Sequence, residues 1–398
     1  MVKSALIFAD DANGLEQVYR IPAVRRLALL TCQLGFEKIH VISRDASLFT
    51  VLSDLVGIIE FHHLEDELHL SGIVEKLQFH DEESVLVLKA NHIIDRWSLD
   101  RLLQAQQDKD ISFLAKDEAR GAERIFLVKA SHLLPLLSSL RTSERSEVEI
   151  EASAIRVKAS PGLPELLDGT RRKVKVAEAA LIAALGRSSW ERDGILARHV
   201  SRPISRLISP TAIRVGMTAN AVTLCITIIG LAGAALLFIG GYLFQVFGSL
   251  MFLFSVIADG VDGEVARLRL QESKFGHYLD IICDNIVHIA IFIGVAIGLY
   301  RETANGIFIY LLWFFLGGIG LCALILNRIL AERHVGVQRS QLAITCEALF
   351  NNRDFAYLML ALALFHRLDW FFVAAAFGSY LLAGILWVAD LVTRRKKQ

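Results

Sequence analysis

The chain lacks net charge: 42 Lys and Arg balance 42 Asp and Glu. That balance leaves no overall electrostatic footprint for nucleic acid, and no nucleic-acid partner is expected. Cysteine is scarce. Cys32, Cys225, Cys283, Cys322 and Cys346 have no paired spacing, and three of them lie in apolar runs. They give no sign of a disulfide framework or a zinc site. No repeat and no low-complexity segment is found. The opening stretch, Met-Val-Lys-Ser-Ala-Leu-Ile-Phe-Ala-Asp, has an apolar core too short for a secretory leader, so the first domain is expected in the cytosol. What is plentiful is apolar side chain, 54% of 398 residues, too much for one soluble domain. The excess falls after residue 218.

Three regions are expected. Residues 1–185 read as a soluble α/β domain. Short apolar runs at Ser4–Ala9, Lys38–Ser43 and Ser84–Lys89 read as strands, and 21–34 has helical periodicity ending at Gly35. This alternation suggests a parallel sheet covered on both sides. Residues 186–218 mix Trp, Ile and Leu with Arg192, Arg198, Arg202, Arg206 and Arg214. Such a segment suits a helix in the headgroup layer, broken by Pro203 and Pro210, or else a basic linker. Residues 219–398 carry six apolar runs, near 219–239, 242–258, 279–299, 307–326, 355–367 and 370–392. Six transmembrane helices are expected, the fifth extending into its flanks. Basic residues gather in 259–278, in 327–354 and in the tail Arg394-Arg395-Lys396-Lys397. The positive-inside rule then puts both termini and the 259–278 loop in the cytosol, with the protein integral to the cytoplasmic membrane.

Between the second and third runs stand four carboxylates in two pairs, Asp259 with Asp262 and Asp280 with Asp284. Spacings of three and four place each pair on one helix face. The first pair is expected to end one membrane helix and the second to begin the next, across a short turn. Four ionised carboxylates cannot crowd together unaided, because like charge and lost hydration both penalise them. Hard divalent cations such as Mg²⁺ or Mn²⁺ remove the conflict, and a pair of them clamps both oxygens of a displacement at phosphorus. The stretch reads as a two-metal phosphoryl-transfer site at a membrane edge. The competing reading is a solvated acidic loop between spans.

The pattern Asp259-x2-Asp262-Gly263-x2-Ala266-Arg267-x8-Gly276-x3-Asp280-x3-Asp284 resembles the signature of the CDP-alcohol phosphotransferases at every defined position. The resemblance implies a membrane enzyme of phospholipid synthesis. It would cleave a CDP-linked donor, such as CDP-diacylglycerol or a soluble CDP-alcohol, release CMP, and pass the substituted phosphate to an acceptor alcohol, phosphorylated or not. It implies that Asp259, Asp262, Asp280 and Asp284 ligate the metals and that Asp284 takes the acceptor's proton. Gly263, Ala266, Arg267 and Gly276 would lie against the nucleotide. Asn220 and Thr223 match the family's Asn-x-x-Thr, so Asn220 either touches the nucleotide or caps its helix. Arg328, Arg333 and Arg339 either bind an acceptor phosphate or only set topology. Membrane lipids are expected partners, and family habit implies a homodimer.

The first domain resembles the sugar-phosphate nucleotidyltransferases through IPAVRRLALLTCQLGFEKIHVIS, VLVLKANHIIDRWSL and LLDGTRRKVKVAEAAL. Two features depart from that family. Ala9-Asp10-Asp11-Ala12-Asn13-Gly14 replaces the Gly-rich phosphate loop, and Asn91 replaces a metal-binding Asp. A vestigial, structural or regulatory domain is expected. The alternatives are a bifunctional enzyme whose first domain makes its own CDP-alcohol and, from another class, a transporter or channel.

Overall fold

The structure, a computed structural model, describes residues 2–9, 12–45, 47–55, 57–64, 72, 76–77, 79–80, 83–105, 110–115, 125–142, 154–189, 197–331 and 354–395. It divides into two compact units, residues 1–189 with 267–270, and residues 190–266 with 271–398.

The first unit contains strands β1 (Val2–Ala9), β2 (Gln17–Val18), β3 (Ile21–Pro22), β4 (Lys38–Ser43), β5 (Ile59–His63), β6 (Ser84–Lys89), β7 (His92–Ile93), β8 (Ile111–Ala115), β9 (Ile125–Lys129), β10 (Ile155–Lys158) and β11 (Glu165–Leu166). Its helices are α1 (Ala23–Gln33), α2 (Ser47–Leu52), α3 (Arg96–Ala105), α4 (Leu133–Thr142) and α5 (Arg171–Ser189). Seven strands make the main sheet in the order β10-β8-β9-β6-β1-β4-β5. Alternation sends Ala5, Ile7 and Ala9 into one core and Leu6 into another, so both faces are covered. The expected strands at 38–43 and 84–89 stand where the apolar runs are. The sheet, however, is mixed rather than parallel: β9 runs antiparallel to both β6 and β8. Only nine residues, 116–124, separate β8 from β9. A parallel crossover needs a dozen or more, so a connection this short requires the antiparallel pairing.

The second unit contains α6 (Arg202–Val215), α7 (Ala219–Ile239), α8 (Tyr242–Ala258), α9 (Gly260–Leu268, whose last two residues are counted with the first unit), α10 (Lys274–Thr303), α11 (Ile307–Ala331), α12 (Phe355–Leu364) and α13 (Leu368–Arg395). Pro203 and Pro210 do not break α6, which runs for 14 residues. Pro203 sits in the first turn, where no N–H is needed. Gly216, with φ of 93°, ends the helix in the left-handed region. Among the described residues, five helices are long and apolar enough to cross a membrane, not the six expected. The fifth run forms α12, only 10 residues. That is about 15 Å of helix, half of a hydrocarbon core of roughly 30 Å. Helices α7 and α10 pack closely because glycine faces backbone there: a Cβ on Gly294 would lie 2.5 Å from the Ala234 carbonyl oxygen. Phe247, Tyr310, Trp313, Phe377 and Leu381 are exposed on the outside of this unit, a surface suited to lipid.

Candidate metal and substrate site

The four aspartates stand on the α8–α9–α10 segment. Val261 and Val265, one helical turn apart, are each 1% exposed or less, and their spacing suits the helix α9. Gly263 and Arg267 therefore ride on a helix rather than in the expected turn, and Asp262, expected at a helix end, lies in its first turn. The turn is confined to 269–273, where Leu270 has φ of 51°. Ser273 caps α10 by accepting the Gly276 N–H at 3.0 Å. Asp280 and Asp284 follow one helical turn apart on α10.

This folding brings one carboxylate oxygen each of Asp259, Asp280 and Asp284 within 4.8 Å of one another. All three side chains are partly buried. At an effective dielectric of about 20, each such pair of anions repels by roughly 3.5 kcal/mol or more. Three pairs make a penalty that a bound cation removes, and the all-oxygen donor set fits Mg²⁺ or Mn²⁺.

Asp262 lines the same cleft but is held differently. It is buried; Thr223 Oγ1 donates to its Oδ2 at 2.5 Å, and the Gly263 N–H donates to its Oδ1 at 2.5 Å. Thr223 thus reaches the carboxylate. Asn220 does not cap α7: Thr218 does, accepting from the Ala221 N–H at 3.3 Å. The Asn220 side chain instead lies by α10, where a Cβ on Gly276 would come 3.0 Å from its Oδ1. Gly276 is needed for that close approach. Arg328 is exposed near the end of α11. Arg333 and Arg339 lie outside the described residues, as do Arg192, Arg353, Lys396, Lys397 and the Asp10-Asp11 pair.

Two residues of this region were not singled out by the sequence. His288 lines the cleft one turn after Asp284 and donates from Nδ1 to the Asp284 carbonyl oxygen at 2.8 Å. Its spacing of four from Asp284 was the available signal. Glu264 is buried on α9 and accepts from Ser205 Oγ at 2.7 Å and Ser209 Oγ at 2.6 Å, with Arg202 Nη1 3.8 Å away. It anchors α6 to the helix that carries Asp262. Arg202 also fills the space over Gly260, where a Cβ would lie 2.6 Å from its Nη1.

In the first unit, Asn91 follows β6 beside β1. That is the carboxyl edge where sheet order reverses and open α/β sheets place ligands. Its Nδ2 is spent on the Leu167 carbonyl at 2.9 Å. His92 Nδ1 accepts the Lys89 N–H, and Asp95 accepts from Ser98 Oγ at 2.5 Å and Ser160 Oγ at 3.1 Å. Burial lowers the Arg26 guanidinium to about 10, an effect that Tyr19 and Asp95 partly offset.

Known proteins share parts of this chain. The bifunctional IPC transferase and DIPP synthase of Archaeoglobus fulgidus is 36% identical over 136 residues, 34% of this chain and 26% of that relative. The phosphatidylinositol phosphate synthase of Mycobacterium tuberculosis is 39% identical over 97 residues, 24% of this chain and 42% of the relative. A crystal structure of the Mycobacterium tuberculosis enzyme with CDP-DAG bound aligns at 23% identity over 48% of this chain and 90% of that one, with a TM-score of 0.31. A crystal structure of 4-diphosphocytidyl-2C-methyl-D-erythritol synthase aligns at 12% identity over 45% of this chain and 99% of that one, with a TM-score of 0.36. The matched stretch spans about a quarter of the length of the bifunctional relatives from Archaeoglobus fulgidus and Aquifex aeolicus, 26% and 24%. The apolar helices make the chain an integral membrane protein. Residues 216–393, which hold all four aspartates, match the family model of the CDP-alcohol phosphatidyltransferases, so the second unit carries a CDP-alcohol phosphatidyltransferase domain.

Proposed function

We propose that this chain is a divalent-metal-dependent CDP-alcohol phosphotransferase of phospholipid synthesis. The observation that carries the reading is the convergence of Asp259, Asp280 and Asp284 within 4.8 Å at the ends of two apolar helices. These three, with Asp262 beside them on the cleft, would hold Mg²⁺ or Mn²⁺. When bound, the metal neutralises charge on the pyrophosphate and on the leaving CMP. Thr223 and the Gly263 N–H hold Asp262 in place. Arg267 offers a fork of donors to a phosphate, and Gly263, Ala266, Gly276 and Asn220 leave room for close approach of the nucleotide. Asp284 takes the proton of the acceptor hydroxyl, directing the oxygen at phosphorus. Arg328, with Arg333 and Arg339, is the basic group available for a phosphorylated acceptor. The donor class is CDP-diacylglycerol or a related CDP-alcohol, the enzyme works as a homodimer, and the site and both termini face the cytosol. The division of labour follows the sequence boundaries: 1–185 nucleotidyltransferase-like, 186–218 interfacial, 219–398 catalytic.

The bifunctional IPC transferase and DIPP synthase of Archaeoglobus fulgidus favours a second, bifunctional reading. Against it stands Asn91, whose neutral amide is committed to the Leu167 carbonyl. A transporter is disfavoured by position: Asp280 and Asp284 lie in the first half of the 30-residue helix Lys274–Thr303, toward its start and not at its middle. The deciding measurement is CMP release by the purified full chain from a panel of CDP donors with and without Mg²⁺. Absence of CMP release with every donor and acceptor alcohol overturns the reading.

A further inference from the structure

The sheet of the first unit carries a side-chain cluster for which phosphoryl transfer has no use. Among the described residues, strand β5 is the sheet's edge and pairs with β4 alone. The parallel register sets His40 on β4 opposite Glu60 on β5, and Ile42 opposite His62. Residues two apart on a strand share a face, so Glu60 and His62 project to one side of β5. His40 Nδ1 lies 3.3 Å from His62 Nε2 and 3.3 Å from Glu60 Oε2. All three donor atoms fall within 4.8 Å of one another.

Those distances discriminate between two chemistries. Hydrogen bonds from nitrogen cluster near 2.9–3.0 Å, and one Nδ1 hydrogen cannot serve two acceptors well. Zinc–nitrogen and zinc–carboxylate bonds of about 2.0–2.2 Å give a tetrahedral donor–donor edge of roughly 3.3–3.5 Å. The two 3.3 Å separations match the edge and are long for hydrogen bonds. His40 is 2% exposed, and among the described residues its Nε2 has no hydrogen-bond partner, so the polar contacts of this buried imidazole are made through Nδ1. The Glu60 side chain is 59% exposed, so an ion can enter from solvent, and water can take the fourth position.

We propose that His40, Glu60 and His62 form a transition-metal site, best matched by Zn²⁺, that staples edge strand β5 to β4. Two imidazoles and one carboxylate suit Zn²⁺ and its borderline neighbours, whereas the all-oxygen aspartate cluster suits Mg²⁺ or Mn²⁺. The two sites therefore select different ions in one chain. Cysteine spacing could not show such a site, because no cysteine takes part in it.

The test uses the full chain in detergent, stripped by chelation and re-equilibrated in millimolar Mg²⁺ to occupy the aspartate cluster. Zn²⁺ is titrated and bound metal counted, with Co²⁺ as a spectroscopic probe of four-coordinate geometry. Wild type and Asp280→Asn are expected to bind one equivalent of Zn²⁺ and to melt at higher temperature with it. Glu60→Gln and His62→Gln, both at partly exposed positions, are expected to bind at least tenfold more weakly and to show no zinc-dependent rise in melting. Failure of wild type to bind Zn²⁺ overturns the proposal, and so does unchanged binding by both variants.

Discussion

Thr223 Oγ1 stands 2.5 Å from Asp262 Oδ2, with Thr223 6% and Asp262 8% exposed. A hydroxyl on the first span thus holds a carboxylate on the helix after the second. Hydrogen bonds to a charged partner contribute about 1.5–3 kcal/mol, so removing this one should cost roughly 10- to 100-fold in turnover. Thr223→Val is expected to show that loss with a higher Mg²⁺ requirement, and Thr223→Ser to stay near wild type. CMP release across a Mg²⁺ series measures both; a fully active Thr223→Val removes the positioning role.

Glu264 predicts a stability effect rather than a ligand effect. Its buried carboxylate depends on Ser205 and Ser209, and loss of either hydroxyl leaves an oxygen short of a partner. Ser205→Ala and Ser209→Ala should each destabilise by about 1–3 kcal/mol. The double variant should uncouple α6 from α9 and lower the melting temperature in detergent further. Melting at the wild-type temperature in the double variant would show that the clamp contributes nothing.

How far such features are legible in the sequence depends on range. The spans Ala219–Ile239 and Tyr242–Ala258 are readable because apolar composition is local and Gly240-Gly241 separates them. The aspartate spacing is local too, and it led to the cluster of Asp259, Asp280 and Asp284. The charges and glycines of 260–268 read as a loop, whereas the segment folds as a helix. The spacing of Val261 and Val265 carried the opposite signal. The partners of Glu264 lie 59 and 55 residues away, so no local pattern reveals them. The antiparallel β9 becomes readable only once 111–115 and 125–129 are both recognised as strands, because the short connection between them then fixes the pairing.

The first unit should have little cytidylyltransferase activity. Asn91 supplies a neutral amide where a metal ligand is needed, and that amide already bonds the Leu167 carbonyl. Full-length protein given CTP, Mg²⁺ and phosphorylated alcohols should release pyrophosphate only at background rate. Sustained pyrophosphate release, matched by CDP-alcohol formation, would instead establish the bifunctional enzyme.

The last prediction separates ligand from base among the aspartates. Asp259→Asn, Asp262→Asn and Asp280→Asn each replace an anionic oxygen pair by a neutral amide. They should weaken metal binding, and added Mg²⁺ should recover part of the activity. Asp284 shares the same cluster but sits deepest along α10, on the cleft beside His288. If its main task is to take the hydroxyl proton, Asp284→Asn should keep donor and metal affinity while turnover falls by about 10²–10⁴-fold. Added Mg²⁺ should not restore it, because the missing function is proton acceptance and not coordination. Donor affinity and CMP release, measured for all four variants across one Mg²⁺ series, distinguish the two roles. Recovery of Asp284→Asn with metal, in parallel with the others, makes Asp284 a ligand only. His288, hydrogen-bonded to the Asp284 carbonyl and lining the same cleft, then becomes the next base to test.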